Sequence, residues 1–400
     1  VRILFVSPFL PYPPVAGGHA QIWAWLTRLA RRHEVAFAGF YEREADAAGA
    51  SELAKHCARV RLLLRRPTAH AYSSFAQLPP WVTEFFCAEL EREVHELSRR
   101  FEPDVAQFLA TNMAQYARAV DGAGRVVTAL DISFIAYRRR IPAERGLERL
   151  RARTDWLRML RYETWAFRHA DHVIAMSSRD AQIIKAAAPR VRTTVVPPGV
   201  DRESLALRPR RPRPGSVLYL GHMEHYPNLD GLLFLYREIW PSVRRECPQA
   251  HLTVAGRGAR EELSRLAPDT LAAIERDPSV ELAGFVPDLR ALMDTTAALA
   301  APLRLGAGVR NKVIQAMAAG LPTLTTRRGA EGLSVAHGRE LLMADDAPGF
   351  AREVVRLLGD DELQGRLSEA GRALVAREHD NDELAERLDH ALAEAAGARA

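Results

Sequence analysis

Cysteine is nearly absent from this 400-residue chain: Cys57, Cys87 and Cys247 stand far apart and form no pair motif. That excludes a disulfide scaffold and a cysteine-based zinc site, and it points to a reducing compartment, the cytoplasm. Lysine is as scarce. Among 55 basic residues only Lys55, Lys185 and Lys312 are lysines, and the rest are arginines. No apolar run approaches the roughly 20 residues of a membrane span. The apolar start ILFVS is too short and wrongly flanked for a signal peptide, so it reads as a first β-strand. The 13 histidines contain no H-x-x-x-H pair. His222 and His225 lie three apart beside Glu224, a thin basis for a metal, and none is expected.

What is present fits a globular protein, 48% hydrophobic and 26% charged, and too long for one typical core, so two domains are expected. The net charge is +5. Arginine is dense from 138 to 168, with acids interspersed. A solvated, ion-paired helix face is one reading. A patch for an anionic membrane surface or a phosphorylated acceptor is the other. Nucleic acid is not expected, because no recognition motif accompanies the charge.

Short apolar strands alternate with helical patterns. The first half reads as strands at 2–7, 34–40, 59–64, 104–109, 125–130, 172–176 and 193–196. A helix over 18–32 has Ile22, Leu26, Leu29 and Ala30 on one face, and a charged helix spans 144–170. RPRRPRPG (208–215) reads as the end of a solvated interdomain linker. The alternation then restarts at 216–220, 251–255, 279–283, 297–301, 322–326 and 340–343. A last amphipathic helix, about 381–396, carries Leu384, Leu388 and Leu392. Such runs suit parallel strands buried on both faces. Two series imply an α/β protein of two Rossmann-like, doubly wound domains facing across a cleft, with ligands beyond the C-terminal strand ends.

The loops at those ends hold the candidate residues. Gly17 and Gly18 follow the first strand and precede a helix, where backbone N–H groups can meet an anion; the alternative is a plain turn. Gly221 ends the first strand of the second half, and Asn228 is placed to cap the next helix. Gly256, Gly258, Phe285 and Val286 could line a base pocket, or form ordinary turns. In GAGVRNKVIQAMAAGLPTLTT (306–326), Gly306 and Gly308 lead into a helix with Arg310 and Lys312 in its first turn. Cations at a helix N-terminus are unfavourable unless an anion compensates. Val313, Ile314 and Met317 face inward, and Lys312 and Gln315 share the opposite face. A diphosphate with an attached sugar would fit this charge and the reach of Gln315.

These residues, with GHMEHYPN, GFVPDLR and YETWAFRHADHVIAMSSRDA…VVPPGVD, resemble glycosyltransferase family 4. The likeness is to the bacterial branch with the motif G-x-G-x-R-x-K-x-x-E-A-M-A-x-G-x-P. The resemblance implies a GT-B fold. Residues 1–200 would be the acceptor-binding domain and 201–380 the nucleotide-sugar-binding domain, with the C-terminal helix, about 381–400, packing back on the first. It implies an anomer-retaining, metal-independent transferase of hexosyltransferase type. No cofactor is implied beyond a nucleotide sugar as co-substrate, with a UDP-sugar favoured. The acceptor would be a glycan, a lipid-linked sugar or a small molecule, as in polysaccharide biosynthesis. The location would be cytoplasmic or peripheral to the inner face of the membrane. Arg310 and Lys312 would stabilise the leaving diphosphate. Gly306 and Gly308 would offer backbone donors, Glu331 of GAEGL would sit near the diphosphate loop, and Gly17 and Gly18 would close over the donor.

Two departures stand out. The family's paired glutamates fall on Ala307 and Gln315, and an amide is a weaker acceptor for ribose hydroxyls than a carboxylate. Many relatives carry a His after the fourth N-terminal strand, and Asp131 of TALDISF stands at the matching place. Asp131 could orient or deprotonate an acceptor hydroxyl, or simply form a turn; His19 is a further candidate. Gln315 keeps open a non-catalytic, degenerate nucleotide-binding relative, and the fold keeps open a nucleotide-sugar epimerase or hydrolase.

Overall fold

The computed structural model describes all residues except 15–16, 44–45, 47, 67–77, 207 and 399–400, and the side chain of 143. The chain divides into two compact units, Val1–Pro198 with Asn381–Ala400, and Gly199–Asp380.

Among the described residues, the first unit holds a seven-stranded sheet in the order β3-β2-β1-β4-β5-β6-β7. Its strands are β1 (Arg2–Ser7), β2 (Glu34–Tyr41), β3 (Arg59–Leu64), β4 (Val105–Leu109), β5 (Gly124–Ala129), β6 (His172–Ala175) and β7 (Arg192–Val195). The second holds six, in the order β10-β9-β8-β11-β12-β13. These are β8 (Ser216–Leu220), β9 (His251–Ala255), β10 (Val280–Gly284), β11 (Ala298–Ala301), β12 (Thr323–Thr325) and β13 (Leu342–Met343). Every pairing within both sheets is parallel. The sequence placed these strands within one or two residues, because continuous Val-, Leu- and Ala-rich runs are what helices on both faces require. Strand order reverses between β1 and β4 and between β8 and β11. Those points open crevices at the C-terminal strand ends, where ligands of such sheets bind.

The last helix, Asn381–Gly397, belongs to the first unit. It buries Leu384, Leu388 and Leu392. Its acids pair with the helix Gly17–Leu29 and the turn after it: Arg28 with Asp382 at 2.7 Å and His33 with Asp389 at 2.8 Å. Gly124 has no side chain for good reason, since a Cβ there would lie 2.2 Å from the Ala395 carbonyl oxygen.

Two local expectations are corrected. The helix expected over 18–32 is Gly17–Leu29. Gly17 and Gly18 are its first residues rather than a loop before it, and Ala30 lies past its end. The stretch 208–215 is largely exposed, as expected, but it belongs to the second unit and is not a linker. The Arg211 and Arg213 amides donate to the carbonyls of Asp294 and Thr295 at 2.9 Å. Arg210 donates to the carbonyls of Gly320 and Thr296, and burial pulls its guanidinium down to about 10. Proline-rich backbone is extended, and here the arginines tie it to the second unit. Asp131 follows β5, the strand read at 125–130.

One carboxylate fastens the ends of β4 and β5. Glu163, on the helix Gly146–Arg168, is fully buried. It accepts from the Thr111 hydroxyl at 2.8 Å and from the amides of Ser133 and Phe134 at 3.1 and 2.8 Å. The adjacent Tyr162 hydroxyl donates to the Thr111 carbonyl at 2.9 Å. Burial outweighs these donors and pushes the Glu163 carboxyl up to about 7. A raised folded-state value means that this group's contribution to stability is full below its unfolded value and is lost as pH rises through about 7. The margin by which wild type exceeds Glu163→Gln should therefore shrink by about 2–3 kcal/mol between pH 5 and pH 8. Urea melts at both pH values measure this, and a constant margin contradicts it.

Candidate functional site

The site grows from the end of β8. Tyr219 is fully buried, and its hydroxyl donates to the Asn228 carbonyl. Asn228 lies inside the helix Tyr226–Phe234, whose cap residue is His225, so it does not cap that helix as its position suggested. Its side chain has another task. Its amide donates to the His222 carbonyl at 2.8 Å, and its oxygen accepts from Lys312 Nζ at 2.7 Å. The ammonium also sits 5.5 Å from the centre of the Tyr219 ring, within cation–π range.

Gly221 makes this approach possible: a Cβ there would lie 2.8 Å from both Lys312 Nζ and Asn228 Cγ. Gly256 at the end of β9 has φ +129°, and a Cβ on it would fall 1.8 Å from the Gly221 carbonyl oxygen. The Gly221 amide donates to Ala255 at 2.9 Å and the Gly256 amide to Gly284 at 2.7 Å. Lys312 comes from the helix Asn311–Ala318, which follows β11. The contact between Lys312 and Asn228 therefore bridges the loops of β8 and β11, where the strand order reverses.

Arg310 is the cap residue of that helix rather than a member of its first turn. Its guanidinium turns back on the glycine loop, donating to Ala307 at 2.8 Å and Leu305 at 3.2 Å. Gly306 and Gly308 have φ of +92° and +78°, and a Cβ on Gly306 would meet Arg310 Nη2 at 2.9 Å. Val313, Ile314 and Met317 are buried as expected, while Gln315 is exposed. Burial, then the charge of Arg310, pulls the Lys312 ammonium down to about 7. Burial of its ring, then the charges of Arg310 and Lys312, holds the His225 imidazole below its usual range. Two cations and a depressed imidazole converge on a strand-end crevice, which suits a polyanion.

The remaining candidates are spread out. Phe285 is 52% exposed and lies under the Arg257 guanidinium, 4.7 Å from the ring centre. Val286 instead packs against the apolar cluster that contains Ala255 and Met293, so the pair does not line one surface. Gly258, at φ +77°, faces the Glu224 side chain. Glu331 is half-buried in the loop after β12. In the first unit, His19 stacks on Phe9 with ring centres 4.1 Å apart, and Gly18 lies against the same ring. Asp131 is exposed beside the loop that Glu163 fastens. Ala110, at the end of β4, has φ +120°, a strained conformation for a residue with a side chain. Among the described residues, no group of three or more His, Cys, Asp or Glu could hold a metal ion.

Sequence reasoning missed Tyr219, Arg257 and Glu163, and weighed His225 only as a metal ligand. Tyr219 carried a readable signal, a polar-tipped aromatic one residue from the end of a buried strand.

Residues 214–360 match the family described as glycosyl transferases group 1. A Klebsiella pneumoniae protein, described as an uncharacterized 44.6 kDa protein in a cps region, is 30% identical over 146 residues. That match spans 35% of this chain and 36% of the Klebsiella protein. The crystal structure of Anabaena HepE in complex with UDP superposes with a TM-score of 0.71 at 15% identity, covering 98% of this chain and 100% of HepE. Sucrose-phosphate synthase from Thermosynechococcus elongatus gives 0.71 at 16% identity, covering 99% of each chain. The fold is GT-B: two parallel-sheet, Rossmann-like α/β units.

The glycine at β8 is a testable requirement. Gly221→Ala should displace Lys312 from Asn228 and weaken binding of inorganic pyrophosphate at least tenfold while the melting temperature changes little. Calorimetric titration checks this, and unchanged affinity would remove the role given to the close approach.

Proposed function

We propose that this chain transfers a sugar from a nucleotide-diphosphate donor to a hydroxyl acceptor, with retention at the anomeric carbon and without a metal. The observation that carries the reading is the Lys312 ammonium, held by Asn228 at the strand-order reversal of the second unit and depressed to about 7. Burial and Arg310 make the empty pocket unfavourable for this charge, and an arriving diphosphate reverses that. The match of residues 214–360 to the group 1 glycosyl transferases supports the same assignment. HepE, which shares the fold, is described in complex with UDP and with UDP-glucose, so a UDP-sugar is the favoured donor. The cps-region setting of the Klebsiella relative favours polysaccharide biosynthesis.

In this reading Arg310 and Lys312 take up the charge that develops on the leaving diphosphate as the bond to the anomeric carbon breaks. The amides around Gly306 and Gly308 bond phosphate or sugar oxygens, and Glu331 borders that loop. Gln315, exposed on the same helix face, accepts a ribose hydroxyl. Phe285, backed by Arg257, offers a stacking face to the base. Asp131 and His19 in the first unit are the candidates for orienting or deprotonating the acceptor hydroxyl. Gln315 also supports a second reading, a nucleotide-binding relative that turns nothing over. An epimerase or hydrolase would form product from donor without any acceptor.

Calorimetric titration with UDP and GDP tests the donor site. Saturable UDP binding is expected, lost in Lys312→Ala and strengthened several-fold in Gln315→Glu. Wild-type binding in Lys312→Ala would sink the diphosphate role. Lys312 should also take up a proton on binding above pH 7. Its affinity for UDP should then fall by up to about tenfold per pH unit from 7.5 to 9. The observed enthalpy at pH 8 should change with the buffer's ionisation enthalpy, and a buffer-independent enthalpy contradicts the assignment. Transfer to an acceptor, with the anomeric configuration read by NMR, separates the enzyme from the binding protein.

A further inference from the structure

The arginine-rich helix Gly146–Arg168 has an apolar face that is left exposed among the described residues of its unit. Leu147, Leu150, Leu157 and Trp165 are 74%, 60%, 55% and 42% exposed. With Thr154 and Arg161 between them, they fall within an arc of about 80° at roughly 100° per residue. The opposite side buries Met159, Tyr162, Glu163, Ala166 and Phe167, so the stripe points straight away from the core. Scattered exposed leucines need no explanation, but an aligned stripe does.

Arginines flank it. Arg151 and Arg158 pair with Glu148 and Asp155 at 2.5 and 3.5 Å. Among the described residues, Arg149, Arg153 and Arg161 have no carboxylate partner. The stripe ends at a cavity of ≈490 Å³ bordered by Trp165 and Phe86, within the roughly 300–1,000 Å³ of small-ligand sites. Arg125, Arg161 and His169 also border it, Arg118 there is engaged by Glu91, and no Asp or Glu is among its described lining residues.

We propose that this face docks on an anionic phospholipid bilayer. The leucine stripe and Trp165 enter the acyl boundary, the arginines meet lipid phosphates, and the cavity receives one hydrocarbon chain. Leucines and a tryptophan on one line, with cations at either side, are the pattern of a helix lying in a membrane interface. No helix of the described residues is long and apolar enough to cross the membrane, so contact through this face would be peripheral. A second copy of the chain would bring arginines against arginines, which makes lipid phosphate the complementary partner. The inference stands independently of sugar transfer.

Co-sedimentation of the full chain with vesicles tests it. Binding is expected to phosphatidylglycerol–phosphatidylcholine vesicles but not to phosphatidylcholine alone, and to weaken with salt. The triple variant Leu147→Ser, Leu150→Ser, Leu157→Ser and the double variant Arg149→Glu, Arg153→Glu should each lose at least tenfold in partitioning. All these positions are exposed, so circular dichroism should be unchanged, and Leu266→Ser on the second unit should bind as wild type. Brominated acyl chains should quench tryptophan fluorescence, less so in Trp165→Phe and Ala117→Leu. Equal partitioning of wild type and triple variant, or none by either, overturns the proposal. So does a dimer in sedimentation velocity that the serines abolish while vesicles go unbound. UDP titration of the same variants should be unchanged, so failure of the donor-site reading and failure of this one are separately visible.

Discussion

The close approach of one ammonium group to the end of a strand organises the second unit. Lys312 reaches Asn228 only because Gly221 has no side chain, and Gly221 can lie where it does only because Gly256 has none either. Two glycines at the ends of β8 and β9 therefore exist for one cation arriving from the helix after β11. Tyr219 completes the arrangement from below, with its ring near the ammonium and its hydroxyl on the Asn228 carbonyl. Each of these groups is satisfied by another, which lets a charged side chain sit where its hydration is incomplete.

The first unit uses the same device with the opposite sign. Glu163 is a buried carboxylate whose acceptors are filled by a hydroxyl and two backbone amides from the loops after β4 and β5. Those amides start the helix Ser133–Arg140, whose cap residue Ile132 has no side chain able to cap. The carboxylate thus does the work of a missing N-cap from a distance. Strand-end loops in both units are held by one ionisable group supplied by a neighbouring helix, and in both cases the surroundings disfavour its charged form.

The strands were legible in the sequence because burial on both faces demands unbroken apolar runs, and no helix of the described residues is long and apolar enough to compete as a membrane span. Glycine positions were legible as strand ends. What was not legible is what the polar side chains do once the strands pair. Asn228 has the residue type and position of a cap, and a local rule assigns it to its own helix; a contact with Lys312, 84 positions away, overrides that rule. The run 208–215 has the composition of a linker, yet Arg210 finds carbonyl oxygens at Gly320 and Thr296 that no local pattern announces. Glu163 sits in a helix so rich in charge that nothing marks it as the buried one.

The scarcity of lysine then acquires a physical meaning. In a chain that uses arginine almost everywhere, Lys55 pairs with Glu52 on the surface, where arginine would serve as well. At position 312 it would not. Lys312 Nζ lies only 2.8 Å from where a Cβ on Gly221 would stand, so the ammonium is packed tightly against this strand end. A guanidinium keeps its charge at every accessible pH, so burying it beside Arg310 would fix two positive charges in the empty site. An ammonium depressed to about 7 can give up its proton when the pocket is empty and regain it when an anion arrives. In the proposed donor site, lysine at this position would be stable without an anion and cationic with one, a combination that arginine cannot supply.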